Sequence, residues 1–191
     1  MNKFFEIRSS GANSEAVVKS PNYTSKYLLG HFQKIKKLEE DLQRLPSKEE
    51  FFFLQTEGAF NAFTFIPMIV KDFSIDQLYA STYSISRRTI EALVELHDCG
   101  RVERITLLIN ESMPKRNPVT IDLLDALVRE RPNIEVQYAW THAKVCLAKT
   151  MEGYYCIEGS GNWSENAHME QYVFANSRGL FEFRREIFER V

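Results

Sequence analysis

The sequence contains few cysteines and no cysteine arrangement that indicates a disulfide framework or a metal site. Its 191 residues include 3 cysteines, an odd number without C-x-x-C spacing. Cys146 and Cys156 lie within apolar runs, which favours buried and reduced thiols. The 4 histidines form no cluster with ligand spacing, so we expect neither a metal ion nor another cofactor.

The sequence also lacks long hydrophobic runs. Its main apolar stretch, residues 59–70, is shorter than the roughly 20 residues that a transmembrane helix requires. The first 20 residues contain no apolar core typical of a secretory signal. We therefore expect a cytoplasmic protein that does not engage a membrane.

An excess of charge of one sign is lacking as well. The net charge of −2 argues against a protein that holds nucleic acid by overall electrostatics, although it leaves a local basic site open. With 44% hydrophobic and 26% charged residues, the composition is that of a globular domain with a sizeable core.

The N-terminal part of the chain differs in pattern from the remainder. Residues 1–50 predict an irregular arm followed by an amphipathic helix over residues 31–45, which Pro46 ends. The apolar positions at helical spacing are Ile35, Leu38, Leu42 and Leu45. We expect residues 51–191 to form the main domain.

Strand and helix signals alternate from Phe51 onward. Predicted strands cover residues 51–56, 77–84, 105–109, 134–140, 144–148, 154–158 and 171–175. Predicted helices cover residues 59–70 (disturbed at Pro67), 86–97, 119–129 and 181–191. Ser47 and Glu50 also match a capping box, which leaves a helical turn open in place of the first strand. The order predicts an α/β fold, a mixed β-sheet flanked by helices on both faces.

Residues that carry chemistry are concentrated in the stretch 141–171. His142 and Lys144 are two apart, so on a strand both side chains point to the same face. After a hairpin, the next strand ends in Gly159-Ser160-Gly161-Asn162, where glycines allow the backbone to approach a ligand. Ser160 and Asn162 again share a face, which favours one pocket with His142 and Lys144.

Glu170 begins the following predicted strand, where its carboxylate can accept a hydrogen bond from an imidazole N–H. The stretch thus offers a nucleophile, a fixed cation, two neutral donors and an orienting carboxylate. These groups suit a metal-free displacement at phosphorus, since donors neutralise the phosphoryl oxygens while an imidazole attacks.

The pattern H-x-K, followed by G-S-x-N and a downstream Glu, resembles the phospholipase D superfamily, including its small bacterial endonuclease branch. The resemblance implies that His142 is the nucleophile that forms a phosphohistidine and that its symmetry mate acts as the general acid. It implies that Lys144 and Asn162 bind the phosphoryl oxygens with help from Ser160. Glu170 would set the tautomer and basicity of His142.

The chain departs from the family pattern at one position. The family's usual Asp would stand at position 149, where this chain has Lys149. The lysine adds positive charge that favours a polyanionic substrate, or it marks a relative that has lost catalysis. Trp163 and Trp140 flank the pocket in sequence, and we expect either stacking on a base or sugar or simple core packing. We include Lys149 and Trp163 among the predicted substrate-binding residues.

The family's active site requires two motifs, and this chain carries one, which predicts a symmetric homodimer. The leading hypothesis is a metal-independent phosphodiesterase, a nuclease acting on DNA or RNA. The alternatives are a non-catalytic nucleic-acid-binding or assembly module and a phospholipid phosphodiesterase. The last is the least favoured, because nothing amphipathic marks a membrane face.

Overall fold

The computed structural model describes residues 29–58, 60–164 and 169–189. The strands are β1 (Leu29–Ile35), β2 (Glu50–Thr56), β3 (Ile75–Thr82), β4 (Val102–Asn110), β5 (Ile134–Ala139), β6 (Val145–Thr150), β7 (Tyr154–Gly159) and β8 (Gln171–Asn176). The helices are α1 (Leu38–Asp41), α2 (Phe65–Asp72), α3 (Arg87–Asp98), α4 (Met113–Arg116), α5 (Pro118–Val128) and α6 (Arg178–Glu189), and a 3-10 turn covers Ala62–Thr64.

All these strands belong to one mixed sheet with the order β1-β2-β8-β7-β6-β3-β4-β5. The pairs β1–β2, β3–β4 and β4–β5 are parallel. The central strands β6, β7 and β8 pair antiparallel with one another and with their outer neighbours β3 and β2. The carboxyl ends of β2, β3 and β7 therefore meet the amino ends of β6 and β8 at one edge, which we call the site edge.

Helices cover both faces of the sheet, as the sequence predicts. On one face a large apolar cluster joins α1, α2, α3 and α5 to the sheet through residues such as Leu38, Ile66, Leu93 and Leu124. On the other face Phe181 and Phe188 of α6 pack on Leu108, Leu147 and their neighbours. Among the described helices, none combines the length and apolarity needed to cross a bilayer.

The predicted helix over residues 31–45 is wrong. This segment forms the edge strand β1 and the single turn α1. Its four apolar residues are nevertheless all buried in the main cluster, so their spacing reports burial correctly. The backbone conformation is determined by the parallel pairing of β1 with β2. This is a long-range contact that local periodicity cannot predict. Residues 29–50 thus join the sheet of the main domain, and the predicted arm over residues 1–28 lies outside the described residues.

Most of the remaining element predictions are confirmed to within a few residues. The helix predicted from residue 59 begins only at Phe65, after a 3-10 turn over Ala62–Thr64. Helix α2 continues through Pro67 to Asp72, because Pro67 stands in the first turn, where a helix does not use the missing N–H. The turn α4 before α5 was not predicted. The helical alternative at Ser47 is wrong, since Glu50 begins strand β2, although the Glu50 carboxylate accepts from the Ser47 backbone N–H at 2.7 Å as it would in a capping box.

Candidate active site at the sheet edge

His142 and Lys144 do not lie on a strand but in the segment without regular secondary structure that leads into β6, which begins at Val145. The Ser81 hydroxyl at the end of β3 donates to the Ala143 carbonyl at 3.0 Å. On the other side, the Gly159 N–H at the end of β7 donates to the Lys144 carbonyl at 3.3 Å. The segment is thereby fixed between two central strands at the site edge.

Ser160 and Glu170 are in direct contact at the same edge. The Ser160 hydroxyl donates to a Glu170 carboxylate oxygen and accepts from the Gln171 N–H at 3.1 Å. The backbone of Glu170 is bound to Thr56 at the end of β2, donating to its hydroxyl at 2.7 Å and accepting from its N–H at 2.8 Å. The structure therefore brings these two predicted site residues together.

Lys144 shares a narrow crevice with the glycine-rich segment that follows β7. The crevice is lined by Lys144, Gly159, Gly161 and Trp163, among others. Asn162 is half-buried within this segment, and its carbonyl accepts from the Ala62 N–H at 3.2 Å. His142, Lys144, Ser160, Asn162 and Glu170 thus all lie at the site edge, on segments that adjacent strands hold side by side.

Trp163 does not present its ring to a substrate, which corrects the expectation that it binds one. The side chain is 1% exposed and packs edge-on against Phe63 with ring centroids 5.3 Å apart. Its backbone N–H donates to the Ser84 carbonyl at 3.1 Å, and its carbonyl accepts from the Ser86 N–H at 3.0 Å. Trp163 instead anchors the Asn162 segment to the loop between β3 and α3.

Lys149 also lies away from the proposed pocket. It stands near the far end of β6, paired with Gln77 of β3 and Tyr154 of β7. It lies five positions beyond Lys144, a distance of roughly 16 Å along the backbone. The expectation that Lys149 contacts the substrate at this site is therefore corrected.

The His142 imidazole is exposed and stacks against the Tyr83 ring, with centroids 4.3 Å apart and planes inclined by 33°. The Lys144 ammonium donates to the His142 carbonyl at 3.2 Å. The carboxylate of Glu170, expected to orient the imidazole, is engaged by Ser160. Within the described ranges no hydrogen bond joins His142 to Glu170.

Tyr83 and Arg116 are site residues that the sequence reasoning missed. Tyr83 directly follows β3, and the Arg116 guanidinium carbon lies 4.2 Å from the centroid of its ring. Arg116 also donates to the Tyr83 carbonyl at 3.1 Å and to the Ser112 hydroxyl at 2.9 Å. The available signal was their position, since residues beyond the carboxyl ends of parallel strands gather at functional sites.

Asn110 is a third missed residue, at the carboxyl end of β4. It is 1% exposed, and its amide donates to the Thr141 carbonyl at 2.6 Å. Its side-chain oxygen accepts from the Ser112 N–H at 3.0 Å and from the Ser112 hydroxyl at 2.5 Å. Asn110 therefore ties the segment carrying His142 to the segment carrying Arg116.

A groove of about 1000 Å³ opens beside Ser160 and Glu170, over strands β1, β2, β7 and β8. Its charged groups are mostly compensated, since Lys34 lies 3.5 Å from Glu57 and Arg184 lies 2.6 Å from Glu158. In the described part of the chain, no three His, Cys, Asp or Glu residues are grouped to hold a metal ion.

Comparison with known proteins supports the fold and no closer relationship. No family model matches the chain, and no curated protein matches its sequence. Polyphosphate kinase from Porphyromonas gingivalis is similar in structure with a TM-score of 0.56 and 11% identity, over 73% of this chain and 26% of that chain. TrmBL2, an archaeal chromatin protein described with a novel mode of DNA binding, gives a TM-score of 0.49 and 9% identity, over 73% of this chain and 51% of that chain.

The chain thus spans about half of one of these proteins and about a quarter of the other. The similarity to polyphosphate kinase, together with the mixed sheet and its flanking helices, assigns the chain a phospholipase D-like α/β fold.

Proposed function

We propose that this protein is a metal-independent phosphodiesterase, a nuclease, that acts through a phosphohistidine on His142 in a homodimeric active site. The observation that carries the proposal is the meeting of the H-x-K segment, the end of β7 and the start of β8 at one edge of the sheet. The segments that carry an imidazole, an ammonium, an amide, a hydroxyl and a carboxylate all lie at this edge. This set of groups suits displacement at phosphorus without a metal.

In the proposed reaction, a ring nitrogen of His142 attacks phosphorus, so that a P–N bond forms and a P–O bond to the leaving group breaks. The leaving oxygen takes a proton from His142 of the partner subunit. Water then attacks phosphorus, the P–N bond breaks, and the partner's His142 removes the proton of that water. Lys144 neutralises charge on the phosphoryl oxygens, and Asn162 and Ser160 donate hydrogen bonds to them.

Glu170 exchanges one hydrogen-bond partner for another in the proposed reaction. In the structure it holds the Ser160 hydroxyl. The role that the resemblance implies, orienting His142, requires the carboxylate to exchange that bond for one to an imidazole N–H. Such an exchange releases the Ser160 hydroxyl for a phosphoryl oxygen, so substrate binding and orientation of His142 are coupled in the proposal.

The test is a cleavage assay on single- and double-stranded DNA and RNA, and on phospholipid vesicles, after treatment of the protein with EDTA. We expect cleavage of a nucleic acid to persist in EDTA and to disappear in His142→Ala. His97→Ala is the matched control, because His97 lies in the last turn of α3 and bonds Asp98 at 3.0 Å. Cleavage that depends on added Mg²⁺ contradicts the mechanism, and cleavage of phospholipid alone contradicts the substrate class.

A second candidate function is a nucleic-acid-binding or assembly module that keeps the fold without turnover. Two observations favour it: Lys149 replaces the family's Asp, and Glu170 bonds Ser160 instead of His142. This candidate predicts that His142→Ala binds nucleic acid as the wild-type protein does. It also predicts that neither protein forms a covalent adduct with a labelled substrate.

A further inference from the structure

The ring of Tyr83 is the one aromatic surface in contact with the proposed nucleophile among the described residues. The two ring centroids are 4.3 Å apart with the planes inclined by 33°, which is a stacking contact through ring faces. A face contact leaves both ring nitrogens of His142 unobstructed, since their lone pair and N–H lie in the plane of the ring. Tyr83 therefore restrains the ring without occupying the atoms that react.

Tyr83 is itself held from two directions. On one side, Arg116 lies 4.2 Å from the ring centroid and donates to the Tyr83 carbonyl at 3.1 Å. On the other side, the next residue, Ser84, accepts from the Trp163 N–H at 3.1 Å, and its hydroxyl bonds the Ser164 hydroxyl at 2.8 Å. The loop that carries Tyr83 is thus bound to the loop that carries Asn162.

Arg116 has the fixed geometry that such support requires. Its guanidinium also donates to the Ser112 hydroxyl at 2.9 Å, and Ser112 is bound to the buried Asn110 side chain. Many other arginines pair with carboxylates, as Arg87 does with Glu91 and Arg131 with Asp98. Arg116 makes no ion pair with another described residue and instead covers the ring of Tyr83.

An imidazole must be held in one orientation to attack in line, and a misplacement of about 1 Å can cost on the order of 10²-fold in rate. The carboxylate expected to orient His142 is bound to Ser160. We propose that Tyr83, supported by Arg116, is the positioning residue that fixes the His142 ring for attack. This role rests on the proposed function for its catalytic consequence, whereas the ordering of the ring is independent of it.

The experiment compares wild type, Tyr83→Leu and Tyr83→Phe in two measurements. The first is the NMR relaxation order parameter of the His142 ring, with its signal assigned by its loss in His142→Ala. The second is the separate determination of kcat and KM on the nucleic acid cleaved in EDTA. We expect Tyr83→Leu to lower the order parameter and to reduce kcat by roughly 10–100-fold, with KM changed little. Tyr83→Phe keeps the ring and should restore both quantities.

The proposal is overturned if folded Tyr83→Leu keeps the wild-type order parameter, or if Tyr83→Phe is as defective as Tyr83→Leu. The second result would assign the effect to the hydroxyl. If no substrate is cleaved by the wild-type protein, the proposed function fails, and the order parameter alone decides whether Tyr83 orders the ring. Should Tyr83→Leu fail to fold, Arg116→Gln removes the support from Tyr83 at an exposed position and must lower the same order parameter.

Discussion

Gly159 ends β7 opposite Tyr172, near the start of β8. A side-chain carbon at this position would collide with the Gln171 carbonyl oxygen and would lie 2.5 Å from Cδ1 of Tyr172. One of these atoms belongs to the backbone, and the Tyr172 ring is 2% exposed, so neither can move aside cheaply. The missing side chain thus sets how closely the Ser160 and Glu170 segments approach.

Gly159→Ala should therefore destabilise the protein by about 1–3 kcal/mol and separate Ser160 from Glu170. Urea unfolding measures the first effect. Ser160→Ala is the control at the next position, and we expect it to cost about 1 kcal/mol or less because Ser160 is exposed. Equal stability of Gly159→Ala and wild type would show that the two strands are farther apart than described.

The buried Asn110 side chain joins two backbone segments through hydrogen bonds to Thr141 and Ser112. Asn110→Ala leaves the Thr141 carbonyl and the Ser112 N–H without their side-chain partner, for an expected loss of about 1–3 kcal/mol in unfolding free energy. Asn110→Asp is the matched comparison, because its carboxylate still accepts from Ser112 but no longer donates to Thr141. If Asn110→Asp and wild type have the same free energy of unfolding, the hydrogen bond to Thr141 contributes nothing to stability.

The sequence brings His142 and Lys144 onto one segment, but it does not show the residues that hold this segment. His142 and Lys144 are separated by one residue, so a local rule places them together. Tyr83 and Arg116 are 33 residues apart in sequence and approach His142 only because β3, β4 and β6 share one edge of the sheet. The burial of Trp163 was equally invisible, since a tryptophan beside a glycine-rich segment suits either a core or a stacking surface.

At the scale of elements, Glu50 joins the outer strands to the segment before them. Its carboxylate is 2% exposed and accepts from the Arg44 guanidinium at 2.6 and 2.8 Å, from the Ser47 N–H at 2.7 Å, and lies 2.7 Å from the His31 ring. The Arg44 hydrogen bonds, assisted by Ser47, lower the pKa of Glu50 from 4.5 to about 2. The ionised form therefore stabilises the fold.

This pKa gives a pH-dependent prediction. A carboxyl group whose pKa is lowered by folding contributes stability that is complete above its unfolded pKa and is lost as pH falls through the folded value. We expect the free energy of unfolding of wild type to exceed that of Glu50→Gln by about 1–3 kcal/mol near pH 7. This difference should shrink as the pH falls from about 4.5 to about 2. Thermal or urea unfolding of both proteins across this range measures it, and a difference independent of pH contradicts the assignment.

The element predictions show which information the sequence contains. Helix α3 was predicted well because its stripe of apolar residues and its N-cap are local, with the Ser86 hydroxyl accepting from the Thr89 N–H at 3.2 Å. The segment 31–45 also has helical spacing, yet it supplies strand β1. Hydrogen bonding to the edge of β2 outweighs the helical preference of this segment. That edge exists only once the sheet has assembled.

At the scale of the whole molecule, the chain supplies one motif where the proposed reaction uses two. His142 is exposed at the site edge, so a second copy related by a two-fold axis can bring its own His142 to the same phosphate. If both imidazoles are needed, a dimer that contains one His142→Ala subunit is inactive.

Wild type and His142→Ala, unfolded and refolded together in equal amounts, should retain about one quarter of the wild-type activity, because random pairing gives about one quarter wild-type dimers. Sedimentation equilibrium should report a dimer for both proteins. The control mixes wild type with His97→Ala and should keep full activity. If the first mixture retains one half of the wild-type activity, each subunit works alone.

The proposed reaction requires a covalent bond between the His142 imidazole and phosphorus, and this bond can be captured. The metal-free protein is mixed with an oligonucleotide, quenched with alkali, in which phosphohistidine is stable, and mapped by mass spectrometry. We expect a phosphoryl adduct on the peptide that contains His142, labile to acid and absent from His142→Ala. An adduct on another residue, or undiminished cleavage by His142→Ala, would contradict it.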